Sequence, residues 1–202
     1  AAFDYLQNYC VEWYRRNDPL QLIEIGNGYF KLPLETKKQI LCSCIYGIDI
    51  DIHAVEVAKF SLLVKLIENE TTPSVVESSP ILPELSTNLF HGNALIGKHE
   101  LGSRELTHNE LIAVVPFSWS EMRLDKQFDA IIGNPPYIST EDLHRLIPKV
   151  EFDVYKDTYM SAYKQFDKYF LFVERAICKV KDGGYVCYIV PNKFFKIDAG
   201  QK

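Results

Sequence analysis

Phe128-Asp129-Ala130-Ile131-Ile132-Gly133-Asn134-Pro135-Pro136-Tyr137-Ile138 is the stretch that decides the fold. Ala130 to Ile132 is apolar enough for the middle of a parallel sheet, so a short buried strand is expected. Gly133 permits an unusual backbone angle or the close approach of another group. Pro135 and Pro136 donate no backbone hydrogen bond, so the strand ends at them. A residue before a proline is held extended, which stiffens Asn134 and Pro135 in turn. The product is a rigid loop at the carboxyl end of a strand, where open α/β sheets bind ligands.

This loop offers one side-chain amide, backbone carbonyls and one aromatic ring. Together they suit a planar base with an exocyclic amine. The Asn134 carbonyl oxygen accepts one N–H of such an amine, and the Pro135 carbonyl accepts the other. The Tyr137 ring lies on the face of the base, a stacking worth roughly 1–3 kcal/mol. Two acceptors on one amine draw its nitrogen out of plane and free its lone pair to attack an electrophilic methyl group. No strong general base is required. The competing reading is a plain strand-ending turn, since Asn-Pro commonly opens turns. Its place directly after Phe-Asp-x-Ile-Ile-Gly favours the functional reading.

Upstream, residues 41–50 predict a second strand, which delivers Asp49 and Asp51 at its carboxyl end on opposite sides. Asp51 is placed to cap a helix from about His53 to Glu68, with Val55, Ala58, Leu62, Leu63 and Leu66 inward. Asp49 is then left for a ligand. An acid at the end of the second strand of a nucleotide-binding sheet takes ribose hydroxyls; the alternative is a second cap or a turn residue. Ile50 would sit against the adenine of that ligand or belong to the core. Residues 88–91 predict a short third strand leading to Gly92-Asn93-Ala94-Leu95, where Asn93 reaches an adenine amine or is a turn asparagine.

The remaining segments frame these. Residues 1–16 predict an amphipathic helix through Phe3, Leu6, Tyr9 or Cys10, and Trp13, with no capping residue ahead of it and Asn17-Asp18-Pro19 ending it. Residues 20–34 read as irregular, 35–40 as a helical turn, 69–87 as a loop, and 97–126 as an insertion anchored by Trp119. After Tyr137 come a polar helix at 141–149 and an aromatic loop with Phe152, Tyr155 and Tyr159. A strong helix at 165–181 follows, stopped by Asp182-Gly183-Gly184. A buried strand at 185–190 ends in Pro191-Asn192.

The 202 residues make one large domain or a piece of a larger protein, with 47% hydrophobic and 24% charged residues as in ordinary globular chains. No apolar run approaches the ~20 residues that span a membrane, and no signal-peptide pattern is read. The five cysteines show no zinc-ligand spacing, and Cys42 and Cys44 are expected to alternate on a strand. Buried free thiols in a reducing cytoplasm are the expected state. His91, His99 and His108 form no metal-like arrangement and are expected at the surface. A net charge of −5 is awkward for gripping phosphate, so any nucleic-acid grip must come mostly from elsewhere.

Taken together, Tyr46-Gly47-Ile48-Asp49-Ile50-Asp51, Ala54-Val55-Glu56-Val57-Ala58-Lys59, Gly92 to Gly97, Phe128 to Tyr137 and Val190-Pro191-Asn192-Lys193-Phe194 resemble the N6-adenine DNA methyltransferases of restriction–modification and phage-defence systems. The similarity is greatest to the branch with fused restriction and methylation activities. It implies an α/β, Rossmann-like S-adenosylmethionine-dependent methyltransferase fold, a mostly parallel sheet with helices on both faces. It implies that Asp49 binds the cofactor ribose, Ile50 flanks its adenine, Asn93 meets the adenine amine and Phe172 helps enclose the cofactor. The family often has Asp at the position of Asn93. It also implies that Asn134, Pro135, Pro136 and Tyr137 hold an adenine flipped out of double-stranded DNA. A fused or separate restriction nuclease and a target-recognition domain would be partners.

The family opens this fold with a strand and a glycine-rich loop that are not found in residues 1–202. The chain is therefore expected to be a partial catalytic domain, without a target-recognition domain, that binds the cofactor poorly in isolation and is inactive alone. Methylation of release-factor glutamine or RNA guanine is the alternative enzyme reading. Both use a similar loop on a planar amide or amine.

Overall fold

The computed structural model describes residues 1–70, 80, 82–122 and 128–192. Part of the expected 69–87 loop and the Lys193-Phe194 end lie outside the described residues. The chain divides into two compact units, residues 1–91 and 92–202. Its class is α/β, and the described residues form two parallel strand pairs and one antiparallel pair.

In the first unit, α1 (Ala2–Asn17) buries Phe3 and packs Leu6, Cys10, Val11 and Tyr14 against the core. Cys10 rather than Tyr9 turns inward, and Trp13 is half exposed. Residues 20–34 are not irregular throughout. β1 (Ile23–Gly26) and β2 (Tyr29–Lys31) form an antiparallel hairpin. Asn27 and Gly28 turn it with positive φ of 53° and 75°, as an Asn-Gly hairpin turn requires.

The long strand expected over residues 41–50 is also corrected. α2 (Leu34–Cys44) runs through its first half, and only β3 (Gly47–Asp49) is extended. The helix wins because Leu34, Ile40 and Leu41, at helical spacing, reach the same core as Phe3 and Leu66. Cys42 and Cys44 therefore lie on a helix. The thiols are not buried: Cys44, Cys178 and Cys187 are exposed, and Cys10 and Cys42 are intermediate. Asn88 closes the end of α2 by donating to the carbonyls of Cys42 (2.8 Å) and Ile45 (2.9 Å). Two buried lysines of this unit are matched: Lys37 pairs with Glu70 at 2.6 Å, and Lys38 with Glu35 at 2.9 Å. β3 pairs in parallel with β4 (Leu89–His91), and α3 (Ile52–Ile67) crosses between them. Val55 and Leu66 of α3 are buried, with Leu62 and Leu63 packed beside them, as the periodicity predicts.

In the second unit, α4 (Lys98–Leu101) and α5 (His108–Val114) occupy the expected insertion. Trp119 anchors it by donating its indole N–H to the Ala94 carbonyl at 3.0 Å. β5 (Phe128–Gly133) leads through α6 (Thr140–Leu146), α7 (Lys149–Thr158) and α8 (Lys168–Lys179) to β6 (Val180–Tyr188). The expected aromatic loop is α7. Its Phe152 and Tyr155, with Tyr159 just after it, fill the core with Leu143, Val154, Tyr169 and Leu171. α8 stops at Lys179, and Gly183-Gly184 lies inside β6, where the pairing with β5 slips.

β5 and β6 are parallel, with Ile131 opposite Val186 and Gly133 opposite Tyr188. Neither strand is buried as expected. Ile132 is 62% exposed and Tyr185 75%, while Val186 and Tyr188 are half-buried. β6 alternates because α8 packs along it, and a strand turns successive side chains to opposite faces.

Candidate active site

The Asn134 loop is fixed at both ends by backbone hydrogen bonds. Ile189 N–H donates to the Gly133 carbonyl at 3.2 Å where the loop begins. Lys168 N–H donates to the Ile138 carbonyl at 2.8 Å where it ends. Gly133 serves close approach rather than unusual angle: a Cβ there would lie 3.0 Å from the Tyr188 ring. Beyond the loop, Ser139 caps α6 by accepting from Asp142 N–H at 3.2 Å. Thr140 donates to the Phe166 carbonyl and accepts from Phe166 N–H, at 2.6 and 2.7 Å.

Between these anchors Pro135 is buried, while Asn134, Pro136 and Tyr137 are exposed. The Tyr137 hydroxyl lies 2.7 Å from Asn134 Oδ1 and 2.6 Å from the Ile189 carbonyl. It carries one proton, so it donates to one of them at a time. Asn134 Oδ1 has two lone pairs and retains an acceptor site even when Tyr137 uses the other. The edge of Tyr137 meets Tyr169, ring centroids 6.0 Å apart and near perpendicular. Tyr169 is fully buried, its hydroxyl has no hydrogen-bond partner among the described residues, and burial, then the nearby Asp167 carboxylate, pushes its pKa up to about 12.

Asp49 is exposed at the carboxyl end of β3. Its Oδ1 accepts from Asp51 N–H at 2.9 Å, and Asp51 in turn caps α3 by accepting from His53 N–H at 2.8 Å. A carboxylate has about four lone-pair sites, so one turn hydrogen bond leaves Asp49 capacity for hydroxyl donors. Ile50 beside it is 47% exposed, and its carbonyl lies 3.0 Å from His91 Nε2. His91, His99 and His108 are exposed. Among the described residues no three His, Cys, Asp or Glu side chains are placed to hold a metal ion.

Asn93, two residues past β4, is buried. Its backbone N–H donates to the Val115 carbonyl at 2.7 Å, and its Oδ1 accepts from Leu95 N–H at 3.0 Å. Phe172 on α8 is half-buried against the core of this unit. Sequence reading gave no role to Ile189, Tyr169, Tyr188, Glu151 or Lys168, all of which touch the loop or the Asn93 turn. The Glu151 and Tyr155 pair carried a signal, four residues apart and so on one helix face. The Ile189 contact follows only from the β5–β6 register.

The family described as Eco57I restriction-modification methylase matches this sequence over residues 43–202. The chain belongs to that family. Its α/β architecture is accordingly that of the methyltransferase fold. The chain is 46% identical, over 201 residues, to the type II restriction enzyme and methyltransferase RM.Eco57I of Escherichia coli, a match covering all of this chain and 19% of that protein. It is 34% identical over 73 residues to the type II methyltransferase M.PaeR7I of Pseudomonas aeruginosa, covering 36% of this chain and 12% of that protein. It is 24% identical over 153 residues to a release factor glutamine methyltransferase of Fusobacterium nucleatum, covering 75% of this chain and 31% of that protein. The chain thus spans under a third of the length of each of these relatives. No helix among the described residues is long and apolar enough to cross a membrane.

Proposed function

We propose that this chain carries the target-base site of an adenine-specific DNA methyltransferase of a restriction–modification system, with S-adenosylmethionine as the methyl donor. The observation that carries the proposal is the Asn134 loop: a surface amide and an aromatic ring held on a doubly anchored, proline-stiffened turn at the end of a parallel strand. Asn134 Oδ1 and the Pro135 carbonyl accept the two protons of the adenine amine. Tyr137 stacks on the flipped base, and its edge contact with Tyr169 keeps the ring from turning away. Proximity does most of the work, because the amine is a weak nucleophile until its lone pair is freed and aimed.

S-adenosylmethionine, when bound, supplies a methyl group activated on a sulfonium. Each of the two units carries residues suited to it. Asp49, exposed with acceptor capacity remaining, would take ribose hydroxyls, and Ile50 would flank the adenine ring. Asn93 Oδ1 keeps a second lone pair for the adenine amine, and Phe172 supplies an apolar wall. DNA substrate, a fused or separate nuclease, a target-recognition domain and a cytoplasmic location complete this reading. Relatives named as combined restriction enzyme and methyltransferase support it.

The test is methyl transfer by the full-length protein from labelled S-adenosylmethionine to duplex DNA, followed by digestion to nucleosides. Label is expected in N6-methyldeoxyadenosine; label confined to a cytosine derivative would overturn the adenine assignment. A second reading, methylation of a glutamine amide, draws on the Fusobacterium relative, since the same loop suits any planar NH2 group. Labelling of a release factor, with DNA left unlabelled, would establish it instead.

A further inference from the structure

Four buried polar side chains of the second unit converge behind the Asn93 turn. Asn93, Glu151, Tyr155 and Lys168 are each less than a tenth exposed. Glu151 Oε1 accepts from the Tyr155 hydroxyl at 2.5 Å and from Lys168 Nζ at 3.2 Å, and Asn93 Nδ2 lies 3.5 Å from the same oxygen. The Lys168 ammonium also sits over the Tyr155 ring, 5.4 Å from its centroid. On the other side of the turn, Val115 holds φ 45° and ψ 62°, an uncommon left-handed conformation for a β-branched residue. In that conformation its carbonyl takes the Asn93 N–H.

Packing alone does not call for this arrangement. A buried ion pair is often no more stabilising than apolar side chains of similar volume. Strained backbone persists where the surroundings over-determine it, and such places cluster at functional sites. The chemistry of the cluster is also directional. A carboxylate accepts and does not donate, so Glu151 selects the NH2 edge of the Asn93 amide. The Oδ1 edge is thereby set on the opposite side, on Leu95 N–H, with one lone pair to spare. Asn93 is left able to accept from a ligand and unable to donate to it.

We infer that Glu151, compensated by Lys168, is a positioning residue that fixes the polarity of the Asn93 amide and so makes the site select a 6-amino purine over a 6-oxo purine in the cofactor. This rests on the reading of Asn93 as the contact to the cofactor's adenine amine. Lys168 touches both the Asn134 loop and the buried cluster: its backbone N–H holds Ile138 at the end of the loop, and its side chain holds Glu151.

The test is calorimetric binding of S-adenosylhomocysteine and S-inosylhomocysteine to the full-length protein. Wild type is expected to prefer the amino ligand by on the order of tenfold or more, since a site built to hydrogen-bond a group rejects the analogue lacking it. The paired variant Glu151→Leu with Lys168→Met removes the acceptor without orphaning a charge, and its preference is expected to fall several-fold, with Leu95 N–H alone left to orient the amide. Glu151→Gln keeps an acceptor oxygen and is expected to retain most of the preference. The exchanged pair Glu151→Lys with Lys168→Glu presents a donor to Asn93 and is expected to lower the preference further than the apolar pair does. A purely structural role would weaken both ligands by the same factor and leave their ratio unchanged, which would overturn the inference. Absence of any preference in wild type would overturn the Asn93 reading and the inference together. Tight, amino-selective binding with no DNA methylation would break the proposed reaction alone.

Discussion

Two asparagines follow two parallel strands of this chain, and they are held in opposite ways. Asn134, after β5, is exposed on a loop whose stiffness comes from backbone: two prolines, a glycine against Tyr188, and one hydrogen bond at each end. Asn93, after β4, is buried and held through its own side chain, by Leu95 N–H on one edge and by Glu151 and Tyr155 on the other. The first arrangement leaves the amide free of structural duty, so it can be spent on a substrate. The second makes the amide part of the fold.

That contrast is sharpest under Asn134→Ala. In the full-length protein methyl transfer is expected to fall by about 10²-fold or more, as for loss of one preorganised hydrogen-bonding group at a reacting centre, with the melting temperature unchanged. Retained transfer would break the assigned role. Asn93→Ala is expected to cost stability as well as cofactor binding. It strips partners from buried Leu95 N–H and from the Glu151 cluster, so urea denaturation should show a loss of about 1–3 kcal/mol. An unchanged stability would mean that Asn93 carries no structural load.

A smaller effect separates ring from hydroxyl at Tyr137. Tyr137→Phe keeps the stacking surface but removes the hydrogen bond to Asn134 or Ile189, and transfer should drop by about fivefold, as expected for one hydrogen bond of roughly 1 kcal/mol. Tyr137→Ala should cost the stacking as well, roughly 1–3 kcal/mol of base affinity. Equal defects in the two variants would show that the ring does not stack.

The smallest effect concerns pH on the far side of the Asn93 turn. Arg175 donates to the Leu95 carbonyl at 3.1 Å and to Glu100 at 2.7 Å. Burial raises the Glu100 carboxyl, but the hydrogen bond and charge of Arg175, with Gly97 N–H, outweigh it and hold it below its ordinary 4.5. A folded value below the unfolded one stabilises the fold above the unfolded value, and that stability is lost as pH falls through the folded value. The denaturation midpoint should therefore decline as pH drops below about 4.5, and Arg175→Met should flatten the decline. An identical pH profile in the variant would remove Arg175 from this account.

Much of the local chemistry was legible in residue types. Asp51 as the cap of α3, the helical face through Val55 and Leu66, and the loop at Asn134-Pro135-Pro136-Tyr137 all follow from rules that act within a few residues. The failures share a cause. Residues 41–44 have strand-forming neighbours but a helix's apolar spacing, and the partners that decided the matter, Phe3 and Leu66, are distant in sequence. Phe152 and Tyr155 looked like loop aromatics because nothing nearby shows that Leu143, Tyr169 and Leu171 close around them. The hairpin at Asn27-Gly28 was an exception: its signal was local and was passed over.

By itself the sequence determined where strands end, which helix is capped, and that an amide and a ring stand together on a stiff loop, because prolines, glycines and capping acids constrain their own backbone. Only the tertiary structure decided which amide is exposed and which is buried. It also supplied the parallel register that brings the Ile189 carbonyl to Tyr137, and the convergence of Glu151 and Lys168 on Asn93. Those depend on contacts between residues tens of positions apart, and no periodicity within a segment encodes such a meeting.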